Sequence, residues 1–375
     1  MLSFPVNRSC FPVRRIEGRK LGGRQVDVRR GDDRWGDARW GKQLTARPRT
    51  CLLEWLVVFA VAGIPRMTVA DELEGLLDQL VGNGVVLTED VRATLPPPTF
   101  LNQQQELLAS EAANEKLEAI AAPLGGTDRF LRDSIVAPIS IRMRSIDNPA
   151  GKRIGHRLDF VFAVSEPIAT LRDSEPVREL VGDVETEIES SVEKKDFDPT
   201  EDARTRPLTE QQIARYGLSL DPKKDSVRTL QFPLMDRVII QGVIRTERSV
   251  WREADANGPA VFAWLLDPRF SLTAKEPLVA DSDGEILANR WRGIDRGDRG
   301  QKVISAPFPY RGIGGYLAIT PAPGRPESSI FQASLVLHEP QDWFAGRNQL
   351  RSKLPLIVQD QVRRLRREIR NVRSF

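Results

Sequence analysis

Apolar residues first recur at helical spacing between Asp71 and Val81, and Gly82 ends that pattern. A second helical pattern runs from Leu101 to Ala122, after the break at Pro96-Pro97-Pro98. Its middle is rich in Gln, Ala and Glu, which favours a helix at the surface. We therefore predict a helical segment over residues 71–133.

The period then changes from that of a helix to that of a strand. Two stretches alternate between apolar and polar positions, and their apolar members are Ile139, Ile141, Met143 and Leu158, Phe160, Phe162, Val164. Turn-forming residues at 147–151 separate them, so we predict a β-hairpin with one buried face. Residues 166–182 return to a helical pattern.

The remainder of the chain is mainly strand-like. Residues 185–226 are rich in charge and proline, which predicts an exposed insertion containing one short helix at Leu208–Tyr216. Further strands are predicted within 238–251, 259–266, 285–292, 303–308, 314–320 and 329–337. Gly, Pro, Asp and Asn clusters separate these strands, as the turns of a meander require.

The last predicted element is a long amphipathic helix, roughly from Asn348 to Val372. Its apolar stripe consists of Leu350, Leu354, Ile357, Val358, Val362, Leu365 and Ile369. Pro355 is tolerated best in a first turn, so the regular helix is expected to begin near Leu354. The fold class is α+β, with N-terminal helices, a curved antiparallel sheet and a long C-terminal helix in a domain over 134–375. Whether 71–184 and 227–375 share one sheet is left open.

The end of the chain carries a resemblance to a known superfamily. Residues 312–369 (GIGGYLAITPAP, SSIFQASLVLHEPQDWF, LRSKLPLIVQDQVRRLRREI) resemble the end of START-type or polyketide-cyclase-like helix-grip domains. The resemblance implies a long helix lying in a curved sheet and walling a cavity for a lipid or other hydrophobic ligand. It rests on the order of elements, and no residue motif transfers site by site. More strands than a minimal domain, and the insertion at 185–226, depart from it.

The N-terminal region predicts a cellular location. In residues 44–70, a basic part is followed by an apolar part and then by small residues, which is the order found in an export signal. However, 43 residues precede this segment. Those residues, 1–43, have the composition of a disordered or untranslated leader. Three interpretations stay open: an exported (periplasmic or secreted) protein, a cytoplasmic protein whose translation starts at Met67, and a tethered form.

Charge separates this leader from the rest of the chain. Residues 1–50 hold 13 Lys and Arg against 5 Asp and Glu, whereas residues 71–375 hold 41 against 46. The body is mildly acidic, so we expect no nucleic-acid partner. Its one basic cluster lies on the last helix, at Arg363, Arg364, Arg366, Arg367, Arg370 and Arg373. It is interpreted as a solvated face or, through Arg363, Arg364, Arg367 and Arg370, as a contact for an anionic membrane surface.

The scarcity of cysteine and histidine excludes several kinds of catalytic and metal site. Cys10 and Cys51 are the only cysteines, and His156 and His338 the only histidines, so cysteine chemistry is excluded from the body. No cofactor or metal site is expected. His156 shares strand parity with Phe160 and Phe162, which allows a pocket base, although a structural histidine is the commoner role.

Three functional classes follow. The first is a non-catalytic, exported protein that binds a lipid or other apolar ligand between sheet and C-terminal helix. Its predicted ligand-binding residues are Phe160, Phe162, Trp264, Leu337 and His156. The second is a structural or interaction protein of the cell envelope, and the third is a carboxylate-based enzyme. The enzyme ranks last because the sequence places no pair of catalytic carboxylates.

Overall fold

A computed structural model describes residues 75–177, 199–200, 204–218, 220–221, 224–248, 257–272, 287–297, 300–341, 343–344 and 348–373. All of them belong to one compact unit, Pro48–Phe375. Within these residues, no helix is both long and apolar enough to cross a membrane. The leader, the signal-like segment 44–70, and Trp251 lie outside the described residues.

The N-terminal part is helical, as predicted, but over shorter spans. Helix α1 covers Leu76–Gly82, a two-stranded ribbon follows (β1, Val85–Val86; β2, Arg92–Ala93), then α2, Ser110–Ala121, and α3, Thr127–Phe130. The helix predicted from Leu101 was wrong in its first nine residues. There the Asn102 side chain accepts hydrogen bonds from the backbone N–H groups of Gln104 and Glu106, both at 2.9 Å. Such local bonds compete with helical ones, and α2 begins only after this turn.

The predicted hairpin is confirmed as β3, Ser140–Asp147, and β4, Arg153–Val164. A helix, α4, follows at Ile168–Asp173, within the stretch that was expected to be helical. In the connecting turn, the side-chain oxygen of Asn148 accepts from the backbone of Ala150 and Lys152. This closed turn holds the register of the two strands.

The C-terminal half supplies the other strands of the same sheet. They are β5, Arg204–Pro207; β6, Asp225–Leu234; β7, Val238–Arg248; β8, Ala260–Leu266; β9, Arg290–Arg296; β10, Lys302–Ile304; β11, Phe308–Pro309; β12, Ile313–Ala322; and β13, Arg325–His338. The described part of the sheet has the order β10-β9-β7-β8-β12-β13-β4-β3, with β6 also on β7, β5 on β6 and β11 on β9. Every pairing between these strands is antiparallel, which confirms the α+β class. Because β4 pairs with β13 from Val164 to Gly155, the two halves of the chain form one sheet.

Three local expectations need correction. The insertion at 185–226 was expected to be exposed, with one short helix at Leu208–Tyr216. That helix is confirmed as α5, Glu210–Arg215, but Arg204–Pro207 forms an unexpected strand beside β6. Residues 285 and 286 of the strand expected at 285–292 lie outside the described residues, and from residue 287 onward the strand begins at Arg290. The strand expected at 303–308 is split in two. In the described part of the sheet, β5, β10 and β11 are short strands that each pair with a single neighbour, and in such elements pairing matters more than the local pattern.

The C-terminal helix, α6, covers Gln349–Arg373, in agreement with the predicted span. Its start near Leu354 was wrong, because Pro355 lies inside the helix. Proline removes one backbone donor, for which the acceptor would be the carbonyl of Arg351. Arg351 is exposed, so water can satisfy that carbonyl.

The sheet has a different cover on each face. The face that packs on α6, here called the inner face, carries the largest apolar cluster, to which the helix contributes Leu350, Leu354, Val358, Val362, Leu365 and Ile369. On the outer face, α1 and the β1–β2 ribbon pack over β8 and β12, while α2 and α3 pack near the ends of β4, β12 and β13. Because side chains alternate along a strand, successive residues pack in turn on the inner face and on the outer face.

Candidate functional site

A buried histidine and a glutamate pair at the end of β4 and β13. Nε2 of His156 lies 2.8 Å from Oε2 of Glu339, and the two side chains are 1% and 7% exposed. Nε of Arg153 lies 3.0 Å from the same oxygen, and its Nη1 donates to Oδ1 of Asn348 at 2.9 Å. The carboxylate therefore accepts from two partners, and Arg153 extends the network to the residue before α6.

The pairing leaves the other ring nitrogen of His156 without a partner. An ionised carboxylate only accepts hydrogen bonds, so Nε2 carries a proton and Nδ1 of a neutral ring presents a lone pair. Nδ1 is buried and has no hydrogen-bond partner among the residues that the structure describes. Buried polar atoms are usually satisfied, so this atom is available for a hydrogen bond with a bound molecule.

Aromatic rings gather at the same end of the sheet. Tyr310 stacks on Trp343 at 5.4 Å and lies 5.6 Å from the ring of His338, while Trp343 meets Trp291 edge-on at 6.0 Å. Trp291 in turn stacks on Phe308 at 4.8 Å. The rings form a continuous wall from the interior, where Tyr310 is buried, to the half-exposed Phe308.

Two further polar atoms in this aromatic cluster lack partners. Nε1 of Trp343 and Nδ1 of His338 are buried, and neither meets a hydrogen-bond partner within the described residues. Burial lowers the pKa of His338 to about 4; Arg311 acts in the same direction and Glu339 against it. His338 is thus neutral at physiological pH, in keeping with its place against the ring of Tyr310.

The sequence-predicted ligand residues lie together on the inner face. Phe160, Phe162, Trp264 and Leu337 are all nearly inaccessible, at 1%, 2%, 4% and 3% exposure, and belong to the cluster that includes the stripe of α6. Phe162 stacks on Phe331 with centroids 4.9 Å apart. Four of the five predicted residues thus lie in one cluster, and His156 is the register partner of Leu337. Their contact with a ligand stays a prediction.

Trp264 owes its position to a glycine. A Cβ atom built on Gly315 would lie 2.5 Å from Cζ2 of Trp264 and 2.7 Å from the carbonyl oxygen of Ser334. Gly315 and Trp264 are register partners on β12 and β8. Residues 313–315 of the glycine-rich run at 312–315 belong to β12, and Gly315 makes room for the indole ring.

One pair of carboxylates does occur, away from the inner face. Asp225 and Glu247 are register partners on β6 and β7, and burial raises the pKa of each. Glu247 accepts the backbone N–H of Leu76, and Asp225 accepts that of Asp221 at 3.0 Å. Both side chains thus accept hydrogen bonds from the backbone, and the bond to Glu247 fixes the start of α1.

The predicted basic face of α6 divides by exposure. Arg363 and Arg367 are exposed. Arg364 pairs with Glu368 at 2.7 Å, and Arg370 pairs with Asp133 at 2.7 Å. Their contact with a membrane surface stays a prediction.

Sequence reasoning missed Glu339 and Arg153 as partners of His156. The strand period places Glu339 two residues beyond Leu337, on the same side of β13, which was the available signal. The pairing itself spans 183 residues. No local pattern reports a contact over such a separation.

Known proteins show little similarity to this chain. The sequence matches no protein-family profile and no curated protein. Among solved structures, it is similar to the human StarD13 (DLC2) lipid transfer and protein localization domain, at 10% identity and a TM-score of 0.32, over 63% of this chain and 86% of that one. At that TM-score the superposition carries no argument about fold or ligand.

Proposed function

We propose that this chain is a non-catalytic binding module that takes a lipid or other apolar small molecule between the inner face of its sheet and α6. The observation that carries the proposal is the pair of buried polar atoms without partners, Nδ1 of His156 and Nε1 of Trp343. Ligand pockets are mostly apolar and contain a few polar groups that orient the ligand. The inner face has this composition at the His156 end.

The chemistry of the two atoms defines the polar end of the ligand. The indole N–H of Trp343 donates, whereas Nδ1 of His156 can accept or donate, and a hydroxyl or a protonated carboxyl, which does both, can satisfy either atom. Leaving a buried polar atom unsatisfied costs about 1–3 kcal/mol, which a ligand carrying such a group would recover. The rest of the ligand would contact phenylalanine rings of the inner face.

Entry of such a ligand requires α6 to shift from the sheet. Phe162 and Phe331 are stacked in the interior, and the stripe of α6 packs into the same cluster. Polar contacts tie the helix near both ends: Asn348 to Arg153, and Arg366 to the carbonyl oxygen of Ala163. Between these two ties the helix is held to the sheet mainly by apolar packing, which a hydrophobic ligand can replace.

The test is displacement of a fluorescent fatty-acid analogue from the full chain. Trp343→Phe keeps an aromatic ring but removes the N–H donor and part of the ring system, and the loss of the donor should lower the affinity about fivefold, the equivalent of roughly 1 kcal/mol. Trp291→Phe is the matched control, since the indole nitrogen of Trp291 is not among the buried atoms without partners. Failure of the unmodified protein to bind the analogue, or equal effects of both variants, would refute the proposal.

A second candidate is an interaction protein of the cell envelope without a small ligand. Val303 and Phe308, on the edge strands β10 and β11, are 45% and 44% exposed. Exposed apolar side chains on a sheet edge favour contact with another protein. Replacing both with serine should leave binding of the fatty-acid analogue intact under the first proposal, and should abolish any self-association under the second.

Export is part of the proposal. Its support is the order of positive, apolar and small residues at 44–70. Terminal peptide mass spectrometry on cell fractions tests it. A terminus near Asp71 in an envelope or secreted fraction is expected, and a terminus at Met67 in the cytosol would sink the idea.

A further inference from the structure

One arginine of α6 points into the protein instead of into solvent. Arg366 is 6% exposed, and its guanidinium lies 5.6 Å from the ring centre of Phe162. Within the described residues, its donors reach only backbone carbonyl oxygens: Nε to Ala163 at 3.0 Å, Nη1 to Ala137 at 2.7 Å and Ile135 at 3.4 Å, and Nη2 to Pro138 at 3.5 Å. Among the described residues it forms no ion pair.

A buried cation without a counter-charge is costly. Carbonyl oxygens offer partial charges, whereas a carboxylate or phosphate offers a full one and can accept two parallel N–H donors. Burial lowers the pKa of Arg366 to about 10, with Arg363 adding repulsion. Of the three nitrogens, Nη2 has the longest contact, so it is the atom with capacity for a further acceptor.

Arg366 also lines a cleft that is open to solvent. The cleft has an empty volume of about 340 Å³, including its mouth, and lies between the end of α6 and the segments around 132–135 and 163–166. Arg132 and Arg370 line it too, as do Asp133 and Glu166. Three cations thus face two acids, and Asp133 already pairs with Arg370.

We infer that this cleft binds a phosphate-class oxyanion, held by Nη2 of Arg366 at its base and by Arg132 at its rim. Arginine is suited to the task because its planar fork matches the tetrahedral oxygens of phosphate. Because the cleft is open to solvent, the anion can be a free phosphate or the headgroup of a phospholipid. The recognised chemistry is the same in both cases.

Thermal unfolding of the full chain at constant ionic strength tests the inference. Inorganic phosphate and a water-soluble, short-chain phosphatidic acid are each titrated against chloride, and diacylglycerol of the same chain length serves as the uncharged analogue. Phosphate or phosphatidic acid should raise the midpoint, and diacylglycerol should raise it less than phosphatidic acid does. Stabilisation by inorganic phosphate would support the site whether or not the interior takes an apolar ligand.

Three variants test whether the rise in the unfolding midpoint depends on this cleft. Arg366→Gln and Arg132→Gln should each weaken the response at least tenfold in ligand concentration. Arg132 is exposed and should fold normally, which keeps the test valid if Arg366→Gln is unstable. Arg351→Gln, with the same charge change 15 positions earlier on α6 and about 22 Å away, should respond as the unmodified chain does.

The titrations with inorganic phosphate and phosphatidic acid also distinguish a free phosphate from a lipid headgroup. A response to phosphatidic acid alone, lost in Arg132→Gln, assigns the site to a lipid headgroup, and a response to both anions assigns it to phosphate in general. No response to either anion, or an equal loss in Arg351→Gln, would overturn the inference.

Discussion

Glu339 joins His156 to Arg153 through a single oxygen atom, with distances of 2.8 Å to the imidazole and 3.0 Å to the guanidinium. The contact ties the end of β13 to β4 at the point where the chain leaves the sheet toward α6. A buried carboxylate in this position is stable only because two donors replace its water.

Loss of the charge of Glu339 should therefore be costly. Glu339→Gln keeps the size of the side chain but leaves Arg153 without its counter-charge, and we expect the free energy of unfolding to fall by about 1–3 kcal/mol. Urea unfolding at pH 7 measures it. Glu327→Gln, on the exposed part of the same strand, is the control and should change the value by less than about 0.5 kcal/mol. Equal effects would contradict a structural role for the Glu339 network.

Acid should destabilise the fold through His338. Its pKa is lowered to about 4 in the folded chain, against 6.5 for the free side chain, so the unfolded state binds the proton first. The stability is unaffected above pH 6.5 and declines as the pH falls from 6.5 to 4. At pH 4.5 the loss from this group is on the order of 2 kcal/mol.

The measurement compares the full chain with His338→Gln between pH 7 and pH 4.5. The raised pKa values of Asp225 and Glu247 act in the opposite direction, since a carboxyl with a raised pKa takes up protons more readily when folded. Those groups are common to both proteins and cancel in the difference. Parallel pH profiles of the two proteins would show that His338 is not the source.

Long periodic elements were predictable from the sequence, and their pairing was not. The apolar stripe recurs along most of α6, a helix of 25 residues, and the hairpin β3–β4 alternates on both strands, so each is defined locally. The turn at Asn102 was missed because its side chain competes with a helix that the apolar spacing alone would allow. The insertion strand Arg204–Pro207 depends on β6, which lies further along the chain.

The contacts of the charged residues were likewise not predictable from the local sequence pattern. Arg366 was grouped with five other arginines, although it lies four residues after Val362 and three before Ile369, within the buried stripe. That spacing was an available signal that one arginine points inward. Which carbonyls it meets depends on residues more than 200 positions away.

Gly315 should tolerate no side chain. Gly315→Ala places a methyl group against the indole of Trp264 and the backbone of β13, and the resulting overpacking should cost about 1–3 kcal/mol. Gly82→Ala is the control, because a Cβ there has no atom within 4 Å and alanine favours a helix. Urea unfolding should show a loss for the first variant and no loss for the second. A neutral Gly315→Ala would mean that Trp264 is free to move from its place on the inner face.

The exposed arginines of α6 offer a test of membrane contact that is separate from the cleft. Each basic residue near an anionic surface contributes about 1 kcal/mol, so the double variant Arg363→Glu, Arg367→Glu should bind vesicles of anionic lipid at least tenfold more weakly. Arg351→Glu with Lys353→Glu makes the same change of charge at the other end of the helix and is the matched control. Sedimentation with vesicles of phosphatidylcholine, with and without phosphatidylserine, measures the binding, which should weaken as salt is added. If both double variants lose the same affinity, the contact depends on net charge and not on this face of α6.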